Sequence, residues 1–418
     1  MSVYTSLFSG VSGLRNHQVM LNIIGNNIAN VNTVGFKSSR AIFSEMFSQT
    51  RLSAFRPAGD NGGVNPQQIG LGANVASIDA QFTQGALEAS GVATDLGISG
   101  SGFFVVKADG RQYFTRVGNF TFDAAGNMVL PSNGAILQGK LANADGTISP
   151  DAQVTNLKLA LDRKAPAKAT STVKLSGNLD SSTAVGGTSD STFQVYDSLG
   201  NQHSVTVRFT KTAANTWAWD ATLSGQPTPS IGNRTMTFDT SGTMTGVTGG
   251  PITFTPTTGA APVSFAMNTG TTGVFAGITQ TGGNGTTSLI SLRDQDGYAS
   301  GSLENLAVEK NGKIQGKFSN GTILSLGQIV LAEFNNPGGL SRNGESMFTA
   351  SGNSGTPAFL VPGEGTTSML SGGTLEQGNV DLAEEFTKMI IAQRGYQSNA
   401  RIITTTDEIL QETVNLKR

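Results

Sequence analysis

Apolar residues recur at alternating spacings of three and four near the start of this chain: Tyr4, Leu7, Val11, Leu14, Leu21 and Ile28, with Gln18 and Gly25 in the two missing slots. The C-terminal stretch repeats the pattern at Leu382, Phe386, Met389, Tyr396, Ala400, Ile403, Leu410 and Val414, interrupted by Gln393 and Asp407. Both are heptad seams, and they predict a helix at each end whose apolar stripe must be covered. Asp381 followed by Glu384 predicts a capping box opening the second helix. Glu384 and Lys388 form a favourable i,i+4 pair, and Lys417 and Arg418 stand where the helix dipole favours cations. Against this, Gly10, Gly13, Gly25 and Gly395 each cost up to about 1 kcal/mol of helix propensity, and the β-branched run at 402–406 adds to the cost. Helices with a seam but weak intrinsic propensity need a partner. Two readings stay open: a helix pair packed on a globular core, or terminal segments (1–30 and 381–418) that order only on assembly with other subunits.

Between the ends, short apolar or β-branched runs alternate with turn signals, and no convincing helical period appears between about 70 and 360. Residues 103–107 and 113–117 flank Ala108-Asp109-Gly110-Arg111, and 120–122 and 128–130 flank Ala125-Gly126-Asn127. Residues 193–196 and 205–209 flank Ser198-Leu199-Gly200-Asn201. Residues 306–309 and 313–315 flank Asn311-Gly312, which predicts a type I′ hairpin, and Asn320-Gly321 repeats that signal. From 146 to 285 the texture shifts to Thr, Gly and Ser, whereas 71–145 and 286–362 resemble each other. The expected fold class is α+β: terminal helices pairing as a coiled coil, and two nested β-rich domains, the outer inserted in the inner. The expected boundaries are 1–30 and 381–418 for the helical core, 31–70 and 363–380 for a linking region, 71–145 and 286–362 for the inner β domain, and 146–285 for the outer one.

Composition removes most chemistry from consideration. The 418 residues include no cysteine, which excludes disulfides, zinc ribbons, iron–sulfur clusters and thiol nucleophiles. The two histidines, His17 and His203, have no neighbouring cluster of ligand residues in sequence. Lys+Arg 27 against Asp+Glu 29 argues against a nucleic-acid partner. No segment reaches the ~18 apolar residues of a membrane span, and the first ten residues lack the basic-then-apolar pattern of a cleaved secretory signal. The glycine-rich run at 97–102 leads into a strand, not a helix, so a phosphate loop is a poor fit. Asp294-Gln295-Asp296-Gly297 resembles the start of a calcium loop, but Ala299 and Asn305 stand where glycine and glutamate are needed, so a turn is expected. Ser171-Thr172-Val173-Lys174 matches a Ser-x-x-Lys pattern without supporting motifs. Trp217 and Trp219 share one strand face, as core residues would. No catalytic residue, metal ligand or cofactor site is expected, and the chain reads as a non-enzyme.

Three stretches carry a family resemblance. Residues 26–37 contain Asn26, Asn27, Ala29, Asn30, Asn32, Gly35 and Phe36, ending on Lys37. Residues 378–382, Met389-Ile390 and 393–400, with Gln393, Arg394, Tyr396 and Asn399, form the second stretch, continued by Thr405, Asp407, Glu408 and Leu410. Residues 97–104 with 115–120 form the third. By these the chain resembles the bacterial flagellar rod and hook axial proteins over about 1–145 and 286–418. Its length and the insertion at 146–285 are similar to hook members. Distal rod and hook–filament junction members are the alternatives, and a β-rich adhesin or carbohydrate-binding module is a remote one.

The resemblance implies a structural subunit that self-assembles into a curved helical tube, a universal joint passing motor torque from rod to filament around an axial export channel. It implies that the seam residues pair between subunits. The implied partners are copies of itself, the distal rod protein, the hook cap protein, the hook–filament junction protein and the flagellar type III export apparatus, with no nucleic acid, membrane insertion or cofactor. The implied location is extracellular, in the flagellum, reached without a cleaved signal. Arg51 to Ile69, with Pro57, Gly59, Gly62, Gly63 and Pro66, is similar to an arm bridging neighbouring subunits. Phe43-Ser44-Glu45-Met46-Phe47 resembles a motif read by the export gate, the alternative being Phe43 and Phe47 packed on one face of a short helix. The interrupted heptads are expected to let helices slide, and the glycines at 97–102, Gly363 and Gly365 to act as hinges.

Overall fold

The structure, a computed structural model, describes residues 2–57, 62–224, 234–282 and 287–416, with side chains from Thr5 onward. Gly59, Lys417, Arg418 and the Tyr4 side chain lie outside the described residues. Helix α1 (Ser2–Ala29) and helix α2 (Leu382–Asn415) stand at the two ends. Among the described residues every other regular element is a β-strand, except a single 3₁₀ turn at Pro337–Gly339. Asp381 caps α2, its carboxylate accepting from the backbone N–H of Ala383 and Glu384 at 2.8 and 3.2 Å. Glu384 turns towards Lys388 at 2.9 Å instead of back to the cap, so the capping box is half made.

The chain divides into two compact units: Met1–Ala160 with Leu306–Gln315 and Ser325–Arg418, and Leu161–Asn305 with Gly316–Leu324. The segment 146–160 therefore lies with the first unit, not the second. The reason is that Thr155–Asn156 adds to the strand Ile136–Leu141, and Leu157 and Leu159 are buried. Conversely, Leu289–Gln295 pairs with Thr172–Asp180, which holds that stretch in the second unit.

In the first unit Phe103–Ala108 is the central strand. It pairs with Arg111–Thr115, Ile136–Leu141 and Leu331–Glu333, and Arg111–Thr115 pairs in turn with Met347–Thr349. Phe103, Val105, Phe114, Ala332, Phe334, Leu340 and Phe348 form its core, their rings packed edge to face. Asp109 (φ 49°) and Gly110 (φ 77°) make the type I′ turn of the first hairpin. At Asn311-Gly312 only the glycine is left-handed, at φ 79°. The Gly312 N–H donates to Glu309 O and the Glu309 N–H to Lys313 O, both at 2.9 Å, which is a type I turn closed by a glycine bulge. The Asn311 side chain accepts the Lys313 N–H at 3.0 Å and so favours this form over the type I′ turn expected there.

The stretch 31–70, expected as part of a linking region, holds three strands. Ser39–Glu45 pairs with Ala73–Ala80, Ser48–Leu52 pairs with Gln67–Gly70, and Phe55 bridges Val64. The expected arm is thus a two-stranded ribbon with exposed strands. Phe43 sits in the first of these strands and Phe47 just beyond it, 86% exposed, so the short-helix packing of this pair is corrected. The run 97–102, expected to act as a hinge, is partly strand. Leu96–Ser99 pairs with Met369–Gly372, and a Cβ on Gly100 would fall 2.7 Å from the Ser368 Cα.

The second unit has two five-stranded sheets. One is a meander of Thr188–Tyr196, Gln202–Ala213, Thr216–Leu223, Thr235–Phe238 and Met244–Val247. The other centres on Thr172–Asp180. Exposed and buried residues alternate along Thr188–Tyr196, so Thr188, Asp190, Thr192 and Gln194 face outward while Ser189, Ser191, Phe193 and Val195 turn inward. This explains the Thr-rich texture without invoking disorder. Trp217 and Trp219 are both in the core, Trp217 donating to Gln280 Oε1 at 3.1 Å. Two sequence motifs meet here: the Asp296 carboxylate accepts from Ser171 and from the Thr172 N–H, while Asp294 is a strand residue paired with Lys174 at 3.0 Å. The turn expected at Asp294 therefore begins only at Asp296.

Candidate functional site: the joint of the terminal segments

Helices α1 and α2 pack antiparallel in a single register. Gly10 faces Asn399, Ile402 and Ile403, Gly13 faces Asn399, His17 faces Gly395, and Asn27 meets Glu385. A Cβ on Gly13 would lie 2.6 Å from Asn399 Oδ1, and one on Gly395 would lie 2.5 Å from the His17 ring. Gly10, Gly13 and Gly395 let the two axes approach, whereas Gly25 faces open space. The buried residues of α2 are Glu385, Ala392 and Thr406, whole heptads apart. They lie three or four residues from Met389, Tyr396, Ile403 and Leu410, beside that row of the seam and not on it. Leu382, Phe386, Tyr396 and Val414 are exposed, and Leu7, Val11, Leu14, Leu21, Ile28, Met389, Ile403 and Leu410 are only half-buried. The pair leaves open an apolar stripe that Phe8, Ile390, Ile391 and Ile409 widen.

At the body end of the pair, Asn27 is 1% exposed and serves three elements. Its Nδ2 donates to Ser39 O at 2.8 Å and to Glu385 Oε2 at 3.1 Å, and its Oδ1 accepts the Ser39 N–H at 3.0 Å. Asn30 closes the end of α1, donating to Asn26 O at 2.9 Å and accepting from Thr33 Oγ1 at 3.1 Å. Gly35 has φ +66°, and a Cβ there would sit 2.7 Å from the Arg116 carbonyl carbon. Its N–H donates to Glu376 O at 2.8 Å. Phe36 is buried under the Arg342 guanidinium, 5.5 Å from its ring centre. Asn399 bonds back to Gly395 O within α2. Ala29, Asn32, Gln393 and Arg394 face solvent.

Beneath this lies a buried charge cluster. Lys37 Nζ is 2.7 Å from Glu376 Oε1, and Arg116 Nη1 is 3.2 Å from Glu376 Oε2, with all three side chains at most 1% exposed. Lys37 also donates to Thr83 O, Arg116 to Gly100 O, and the Gly85 N–H to Glu376 Oε1. Burial pushes the Lys37 ammonium and the Arg116 guanidinium below their ordinary pKa values, against the raising pull of Glu376. Asn379 completes the lock, accepting the Ser38 N–H at 2.7 Å and donating to Gln81 O at 2.8 Å. Residues 37, 116 and 376 thus tie the start, the body and the end of the chain together. Lys37 and Arg116 fall inside the sequence motifs, but Glu376 and Glu385 were missed. A lone glutamate, whether before a helix like Glu376 or in its first turn like Glu385, carries no signal in a single sequence.

Among the described residues no group of three or more His, Asp or Glu could hold a metal ion. His203, in the second unit, lies 3.0 Å from Asp197, whose carboxylate also accepts the Leu199 and Asn201 N–H groups and so builds a turn.

Four families match in chain order. Residues 7–37 match the flagella basal body rod protein family, 97–162 the flagellar hook protein FlgE/F/G D1 domain, 160–298 the flagellar basal body protein FlaE D2 domain, and 371–416 the flagellar basal body rod FlgEFG protein C-terminal family. The two terminal helices and the β-rich body are therefore those of a flagellar rod or hook protein. The flagellar hook protein FlgE of Treponema pallidum is 39% identical over 99% of both chains, and that of Escherichia coli is 34% identical over 97% of this chain and 98% of its own. The flagellar basal-body rod protein FlgG of Bacillus subtilis is 30% identical over 99% of both. The chain belongs to the flagellar hook protein FlgE family.

Proposed function

We propose that this chain is the structural subunit of a bacterial flagellar hook, polymerising with copies of itself into a curved tube that acts as a universal joint around an export channel. The observation that carries the reading is the apolar stripe left open on α1 and α2 beside a joint locked by buried charge. In the polymer, the seam residues Phe386, Tyr396, Leu410 and Val414 pack on neighbouring copies as an inter-subunit coiled coil, and the terminal segments gain their full order on assembly. The exposed ribbon at 48–70 bridges to a neighbour, and Phe43 and Phe47 serve the export gate. The subunit has no enzymatic role. It meets the distal rod protein, the cap and the junction protein at the ends of the tube, outside the cell.

The test is Phe386→Asp with Val414→Asp. Both positions are exposed in the subunit, so the variant keeps the melting behaviour of the wild type while losing polymerisation. Normal polymers from this variant would refute the seam. Straight polymers from the wild type, seen by electron microscopy, would favour the rod reading instead.

A further inference from the structure

We propose that the groove between α1 and the strands that follow it receives residues 402–416 of α2 from a neighbouring copy. The proposal deepens the hook reading above and rests on it. The groove holds about 650 Å³, within the ~300–1,000 Å³ of sites that bury a ligand. Phe8, Val11 and Arg15 of α1 line one wall, and Met46, Gln49 and Leu71 line the other. The walls are held by a close approach. The Ala73 N–H donates to Ser12 Oγ at 3.3 Å, and a Cβ on Gly72 would fall 2.2 Å from the same oxygen. Phe8 and Met46 nevertheless stay exposed. The chain's own α2 lies against a different face of α1. Gly10, Gly13 and His17 meet α2, whereas Phe8, Ser12 and Arg15 follow one another at i, i+4 and i+7 on the groove side.

Charge selects the occupant. Arg15 is exposed and is the one charged residue of the groove walls, and Arg51, also exposed, stands at the bulge of the ribbon two residues beyond Gln49. Among the described residues neither arginine is in an ion pair. The groove therefore fits an apolar helix with an acidic flank. Residues 402–416 are such a helix. Ile402, Ile409 and Leu416 recur every seven residues and are all exposed, which draws a stripe along one face. Glu408 and Glu412, an exposed i,i+4 pair, run beside it, and no Lys or Arg stands between Arg401 and Lys417. The half of α2 nearer the body also bares Phe386, Ile390 and Ile391, but its acids Glu384 and Glu385 are already paired with Lys388. The lengths agree as well. The wall from Thr5 to Asn16 runs about 17 Å along α1, and the stripe from Ile402 to Leu416 about 21 Å.

Charge reversal tests the contact. Arg15→Glu turns its attractions to Glu408 and Glu412 into repulsions and raises the concentration needed for polymerisation about tenfold. Glu408→Arg with Glu412→Arg does the same from the other side. All three positions are exposed, so the melting behaviour of the subunit is unchanged. The chain carrying all three changes polymerises within about threefold of the wild type. A mixture of the two defective variants polymerises too, because each groove then meets a helix of opposite charge. The chain has no cysteine, so copies bearing Gln49→Cys and copies bearing Thr413→Cys can be mixed and treated with a short bis-maleimide. The expected product is a heterodimer, formed in the polymer and lost when Arg15→Glu is added to the Gln49→Cys copies. No recovery in either the triple variant or the mixture would overturn the contact. So would a Gln49→Cys thiol that is protected in the polymer but never joined to Thr413→Cys, which would give the groove another occupant. A wild-type chain that forms no polymer at all would refute the hook reading, and this contact with it.

Discussion

Replacing Glu376 with glutamine should destabilise the first unit more than any other single change of charge at the joint. Glu376 is the shared counter-ion of Lys37 and Arg116, at 2.7 and 3.2 Å, and none of the three is more than 1% exposed. Removing one partner of a buried ion pair costs about 3–5 kcal/mol because the other charge is left uncompensated. Here two cations are stranded by one substitution, which places Glu376→Gln at the upper part of that range. Lys37→Met behaves differently. It removes an ammonium whose charged form burial already disfavours and leaves Arg116 and Glu376 as a balanced pair, so its cost is about 1–2 kcal/mol, mostly the lost bond to Thr83 O. Both tryptophans lie in the second unit, so their fluorescence during urea unfolding reports that unit. Hydrogen exchange of the buried strand Leu96–Ser99 reports the first. Glu376→Gln should lower the exchange free energy by the stated amount and leave the tryptophan midpoint unmoved. A loss below about 1 kcal/mol, or a Lys37→Met penalty equal to that of Glu376→Gln, would refute the reasoning.

Gly35→Ala forces an L side chain into the left-handed region and its Cβ to 2.7 Å from the Arg116 carbonyl carbon, a backbone atom that cannot swing aside. The expected loss is at least about 2 kcal/mol in the same exchange assay, and a neutral result would contradict the geometry. Phe43→Ala with Phe47→Ala should leave the subunit's melting temperature unchanged, since both rings are exposed, and block its secretion. Secretion at the wild-type level would remove these residues from the export role.

The ends were legible in the sequence because a heptad is local: Tyr4 to Ile28 and Leu382 to Val414 lie in helices spanning almost those bounds. The hairpins around Asp109-Gly110 and Ser198-Leu199-Gly200-Asn201 were legible for the same reason, since turn residues specify strands next to them. What single-sequence periodicity cannot carry is which face of a helix meets which partner. The apolar seam looked like the contact face, yet Gly10, Gly13 and Gly395 make the contact within the chain, because the absence of a side chain permits closer approach than leucine does. The ribbon at 48–70 was hidden because Ser48–Leu52 and Gln67–Gly70 are exposed on both faces, so no alternation marks them. Glu376 was invisible for a third reason: its partners are far away in the chain, and burial of a charge leaves no local trace.

The antiparallel pairing of α1 and α2 also makes the joint a lever. From Asn27 to Ser2 α1 extends about 38 Å, and the far part of α2 travels with it, so a tilt of ~5° at the joint swings the far ends of both helices sideways by on the order of 3 Å. Angular play near the β body is thus magnified where copies would meet. A fulcrum held by buried charge and a three-way amide keeps that play small at the pivot, before the long arms enlarge it.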